Sequence, residues 1–173
     1  LEGKMKAHNA HQPTLRVPQV GAGPRKFINK PVGGPGVVQV QECPLFSGLS
    51  RIERATVVSA GRNAQFLPNQ KLFSEQERVR QVVFLLSGCA KLTQVAEDGT
   101  EVILRISAAG DAVGALCSKL VSAHRCTATA LDLSIGIIWD VSVFEALTTR
   151  FPMLRCNMVQ ILHNQLTELE QRF

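Results

Sequence analysis

The spacing of short apolar runs between residues 64 and 139 constrains the fold more than any other feature of this chain. Ala64-Gln65-Phe66-Leu67 and Lys71-Leu72-Phe73 are separated by Pro68-Asn69. A charged turn, Glu75 to Arg80, leads into Val82-Val83-Phe84-Leu85-Leu86-Ser87, which glycine stops at position 88. Ala90 to Val95 alternates apolar and polar residues, and Glu101 to Ile106 alternates back. Between them stands Glu97-Asp98-Gly99-Thr100, where Asp-Gly tolerates the positive φ that tight hairpin turns need. Further strands are expected near 112–113, 126–133 and 135–139. Such runs are too short for helices, and with hairpin signals between them they predict an antiparallel sandwich or barrel.

Helical periods flank this β region. Ser50 with Glu53 three residues later forms a capping-box pattern. Ile52, Ala55, Val58 and Val57 are expected to give that helix its inner face, and Gly61-Arg62-Asn63 to end it. After Asp140, the residues Val143, Phe144 and Leu147 predict a short helix capped by Ser142 or Asp140. Pro152 suits the first turn of a long last helix. There Val159, Leu162, Leu166, Leu169 and Phe173 recur at alternating three- and four-residue spacings, which is an a/d seam. Leu154, Met158 and Ile161 form a second apolar stripe. A helix with two such stripes has two surfaces to cover, its own domain and a second chain, so the expectation is a homodimer through the C-terminal helix.

Residues 1–40 read differently. They hold five of the eight prolines and end in Gly33-Gly34-Pro35-Gly36. They carry six basic groups (Lys4, Lys6, Arg16, Arg25, Lys26, Lys30) against the single acid Glu2, which is the whole net charge of +5. The remaining thirteen basic and thirteen acidic residues cancel. A disordered basic tail is expected over 1–40, in part an expression tag, and the neutral remainder gives no charge-based case for nucleic-acid binding. No run approaches the roughly 18 apolar residues of a membrane span. The five cysteines, at 43, 89, 117, 126 and 156, form no CxxC pair and are expected as buried reduced thiols of a cytoplasmic protein.

Several segments resemble the bacterial Crp/Fnr transcription regulators, whose sensor is a cyclic-nucleotide-binding domain. Cys43-Pro44-Leu45-Phe46-Ser47-Gly48-Leu49-Ser50 is similar to the opening "PLF-x-GL-S" of that family. Phe84-Leu85-Leu86-Ser87-Gly88-Cys89-Ala90-Lys91-Leu92 is similar to "Y-LLSG-VKL", and Glu97 to Leu104 to the "DG-E-VL" hairpin. Ala109-Gly110-Asp111-Ala112-Val113-Gly114 is similar to "PGD-FG", and Thr127-Ala128-Thr129-Ala130-Leu131 to "TV-AL". The resemblance spans residues 43–173. It implies a mostly β fold with flanking helices, a double-stranded β-helix (jelly-roll) barrel at 41–142, and a short helix and long dimerisation helix at 143–173. It also implies that DNA is reached through a helix-turn-helix domain, which this sequence does not contain.

The resemblance places effector binding at Gly110, Val113, Gly114, Ala115, Leu116, Cys117, His124, Arg125, Cys126 and Thr127. The bound group it implies is a cyclic nucleotide or other small anion. Family pockets hold the phosphate with backbone N–H groups and an arginine, and the ribose hydroxyl with a glutamate. Here the glutamate position is Ala115, and loss of one charge-assisted bond costs about 1.5–3 kcal/mol. The arginine position falls on His124 counting back from Thr127, or on Arg125 counting forward from Gly114. Neighbouring strand residues face opposite sides, so only one of the two can enter the pocket. Tight cAMP binding is therefore expected to be lost. A stand-alone cyclic-nucleotide-binding-like module and a haem or redox sensor of the same family are the alternatives. Neither a metal site nor an enzyme is expected, since His8, His11, His124 and His163 meet no nucleophile and acid in one motif.

Overall fold

The computed structural model describes residues 26–27, 40–114 and 122–171. Single 3₁₀ turns at Val40–Glu42 and Pro44–Phe46 lead into α1 (Arg51–Ser59). The strands are β1 (Lys26–Phe27), β2 (Arg62–Phe66), β3 (Lys71–Phe73), β4 (Gln81–Ser87), β5 (Cys89–Val95), β6 (Glu101–Ala108), β7 (Ala112–Val113), β8 (Thr127–Ala130) and β9 (Ser134–Asp140). Helices α2 (Val141–Arg150) and α3 (Pro152–Glu170) close the chain.

The strands form two antiparallel sheets, one in the order β1-β2-β9-β4-β7 and the other β3-β8-β5-β6. This is the expected jelly roll, with one correction: the sheets face each other without closing into a barrel. The strands at two of the facing edges, β3 and β7, are three and two residues long, too short to bridge from one sheet to the other. Lys26 and Phe27, within the expected tail, pair with Gln65 and Ala64 of β2. The rest of that tail lies outside the described residues.

Strand β4 explains how one sheet serves two cores. Its alternate residues Val82, Phe84 and Leu86 join Trp139, Phe144, Leu147, Leu154 and Ile161 in a layer between sheet and helices. Val83 and Leu85 point the other way, into a second cluster with Phe66, Leu72, Phe73, Val113, Ala128, Ala130 and Ile138 inside the roll. Successive strand residues alternate faces, so a continuous apolar run is what a doubly covered strand requires. Gly88 makes the β4–β5 turn with φ +79°, and any Cβ there would strike Ser134 Oγ.

The capping box of α1 forms as expected. Glu53 N–H donates to Ser50 Oγ at 3.3 Å, and Ser50 N–H to the Glu53 carboxylate at 2.8 Å. The inner face of that helix differs from expectation: Val57 is fully buried, whereas Ile52 is 80% exposed and Ala55 is exposed. The anchor is Trp139, whose indole N–H donates to Val57 O at 2.8 Å and so turns that one position inward. The α2 cap also differs. Asp140 occupies the cap position but makes no cap hydrogen bond, because its carboxylate pairs with Arg62 at 2.9 Å.

On α3 the two apolar stripes separate cleanly. Leu154 and Ile161 are buried against the sheet, with Met158 partly buried beside them. Val159, Leu162 and Leu166 of the seam are exposed. The side chain of Leu169, and Phe173, lie outside the described residues. Among the described residues no helix is long and apolar enough to cross a membrane. The thiols follow expectation in part. Cys43 is buried, Cys89 and Cys126 are half-buried and Cys156 is exposed, while Cys117 lies outside the described residues.

Two outcomes follow from this packing. Replacing Trp139→Phe orphans the buried Val57 carbonyl and should lower stability by about 1–3 kcal/mol, read from the urea midpoint. Burial, with the Glu42 carboxylate adding to it, pushes the Cys43 thiol up to about 11 from its ordinary 9.0. The neutral thiol therefore stabilises the fold fully below pH 9.0, and its share is lost as pH climbs toward 11. Thermal midpoints should fall across that window, and Cys43→Ala should remove part of the fall.

Candidate functional site

The turn between β6 and β7 is fixed from several sides. Gly110 takes φ +93°, and its N–H donates to Leu85 O at 2.8 Å. Leu85 N–H donates in return to Asp111 O at 2.9 Å. The Asp111 carboxylate accepts from Ala108 N–H at 2.9 Å and from the Arg105 guanidinium at 2.8 Å. Val113 is then carried into the roll interior, paired with Val83. Helix α3 meets this turn where the Gln165 side-chain amide donates to Ala112 O at 3.5 Å.

Gly114 marks the inner wall. It has φ +83°, and a Cβ there would lie 2.6 Å from Phe73 Cζ and 3.4 Å from His124 Cε1. His124 is buried and stacks on Phe73, with ring centroids 3.8 Å apart and planes 12° from parallel. Its backbone is tied to the β3–β4 connection: His124 N–H donates to Glu77 O, and Gln76 N–H to His124 O, each at 2.8 Å. Arg125 is exposed and lines an outer cleft of about 390 Å³ with Glu75, Gln76, Gln94, Ser122 and His124 itself. Of the two residues left open by the sequence, His124 is the buried one and Arg125 the exposed one.

Cys126 packs half-buried against the roll core, and burial raises its thiol, with Glu75 adding to the effect. Thr127 Oγ1 accepts from Glu75 N–H at 3.0 Å and closes the same corner. Gly110, Val113, Gly114, His124, Cys126 and Thr127 thus surround one end of the roll. Ala115, Leu116 and Cys117 lie outside the described residues.

Sequence reasoning missed the polar content of β6. Val102, Leu104 and Ile106 are exposed, whereas Ser107 is buried and Arg105 nearly so. The register explains the inversion. Ser107 pairs with Ala90 and Arg105 with Leu92, both on the inner face, before a bulge shifts the pairing so that Ile103 meets Thr93. The i, i+2 spacing of Arg105 and Ser107 was the available signal, masked by three aliphatic residues at the alternate positions.

A family model described as the cyclic nucleotide-binding domain matches residues 64–150, which span β2 to the end of α2. The chain belongs to the cyclic nucleotide-binding domain family. No curated protein sequence matches this cyclic nucleotide-binding domain. Solved structures do. The catabolite activator protein of Thermus thermophilus aligns with TM-score 0.65 and 22% identity, over 75% of this chain and 61% of its own. A CooA mutant from Carboxydothermus hydrogenoformans aligns with TM-score 0.61 and 22% identity, over 78% and 85% of the two chains. The sensor domain of the transcriptional regulator DNR from Pseudomonas aeruginosa aligns with TM-score 0.60 and 20% identity, over 77% and 87%. The chain spans about three fifths of the Thermus protein, and at these identities the likeness is one of fold.

The Phe73–His124 stack depends on the missing Cβ at position 114. Gly114→Ala should displace it, costing about 1–3 kcal/mol from strained backbone and overpacking together. The expected readout is a lower thermal midpoint with loss of the ring-current shift on the His124 imidazole signals.

Proposed function

We propose that this cyclic nucleotide-binding domain is the effector-sensing and dimerising part of a Crp/Fnr-type transcription regulator. The observation that carries this reading is the division of labour on α3. One stripe is buried in the domain's own core, and Val159, Leu162 and Leu166 on another are left uncovered. That is the pattern of a helix shared between a sensor and a second copy of the same chain. Named relatives of the same fold include an activator protein and the sensor domain of a transcriptional regulator, which supports a regulatory reading over a catalytic one. Output to DNA would pass through a helix-turn-helix domain beyond this sequence.

The effector would sit inside the roll beside the β6–β7 turn, against Val113, Gly114 and His124. It is a small ligand other than cAMP, or cAMP held in a degenerate pocket. An imidazole stacked on Phe73 is a poorer partner for a cyclic phosphate than an arginine is. Binding would act as a population shift. A ligand that favours one placement of the β6–β7 turn biases α3 through the Gln165–Ala112 contact.

Two measurements test the reading. Light scattering should give twice the chain mass, and Leu162→Asp with Leu166→Asp should reduce it to one; a monomeric parent protein rejects dimerisation through α3. Calorimetric titration with cAMP should show no tight binding, and a micromolar or better affinity rejects the degenerate pocket.

A further inference from the structure

A cleft of about 590 Å³ opens beside α1, and among the described residues Val40, Arg51, Arg54, Ala55 and Val58 line it. None of these belongs to the β6–β7 turn or to the Phe73–His124 stack. Val40 and Val58 back onto the core between sheet and helices, so one wall is apolar. Ala55, expected to face that core, is exposed on the cleft instead. The remaining lining is two guanidiniums. Arg54 is drawn in: its Nη2 donates to Leu49 O at 3.1 Å, and its Nε is buried without a partner. Arg51 is exposed. Among the described residues neither arginine meets a carboxylate. The one acid in the first turn of α1, Glu53, is committed to the Ser50 N–H. Like charges three residues apart on a helix repel, and both arginines stand near the positive end of the helix dipole. For folding alone, this is the unfavourable end of α1 for two unpaired cations.

We infer that this cleft is a second ligand site, and that it takes a carboxylate carried on an unbranched apolar chain. The planar fork of arginine matches carboxylate geometry, and a charge-assisted pair is among the stronger hydrogen bonds available. A bound carboxylate offsets both the repulsion between the two arginines and their conflict with the dipole. The apolar chain of the ligand then lies along Val40, Ala55 and Val58, a wall that a bare inorganic anion would leave wet. An anionic bilayer offers the same chemistry on a flat surface, whereas a recess suits a free molecule. The site does not depend on the sensor reading above, since it shares no residue with the roll interior.

The test uses the full chain, with octanoate as the probe and acetate and 1-octanol as its two halves. Calorimetric titration should show octanoate binding at least about tenfold tighter than either half, since two buried methylenes or one charge-assisted bond each supply that factor. Amide shifts on saturation should centre on Ala55 and Val58. Arg51→Gln removes an exposed charge, and Ala55→Phe fills the cleft without touching the charges. Each should weaken octanoate by about tenfold or more without lowering the thermal midpoint of the ligand-free protein. Arg54→Lys keeps the charge, loses the fork and should weaken octanoate as well. Should Ala55→Phe fail to fold, Arg51→Gln decides alone. No octanoate binding, acetate or octanol binding as tightly as octanoate, an Arg51→Gln variant that binds like the parent, or shifts centred on Val113 and His124 overturns the assignment. So does capture of the chain by phosphatidylglycerol vesicles when free octanoate does not bind.

Discussion

Strand β4 lies between β9 and β7 and is buried on both faces, and the rest of the structure is arranged around that fact. Its even-numbered residues meet the helices and its odd-numbered ones fill the roll. A shift of one residue in its pairing with β9 would exchange the two sets, sending Phe84 into the roll and Val83 against Trp139. Register is therefore set by volume on both sides at once. It also fixes the end of the roll beside the β6–β7 turn, because that turn hangs from Leu85 by two backbone hydrogen bonds.

The roll interior is not uniformly apolar. Asp111 gathers the turn, the guanidinium of Arg105 and the last residue of β6 onto one carboxylate. The Phe73–His124 stack packs against Gly114, a glycine that admits no side chain.

Much of this architecture was legible in the residues. The Ser50–Glu53 box, the Asp98-Gly99 hairpin, the Pro152 helix start and the two stripes of α3 all follow from local chemistry with one dominant solution. What was not legible depended on distant partners. Nothing near Asp140 announces that Arg62, 78 residues away, takes its carboxylate and leaves α2 without a side-chain cap. Ile52 and Val57 are equally apolar in sequence, and only the indole of Trp139 decides which one turns inward. For β6 the sequence assigns no buried face, because the bulge at Leu92 and Thr93 sets which residues face the roll. The same parity argument left His124 and Arg125 undecided until the loop's backbone ties to Gln76 and Glu77 were known.

Asn157 has a consequence for how the molecule is wired at its margins. Its amide donates to both Leu45 O and Ser47 O, at 3.0 and 2.6 Å, and fastens the incoming chain to the first half of α3. Gly48 rests against Met153 of the same helix. The segment leading into α1 is thus fastened along the outer length of α3. A rotation of α3 would therefore pull on the segment before α1, and through it on the capping box at Ser50 and Glu53.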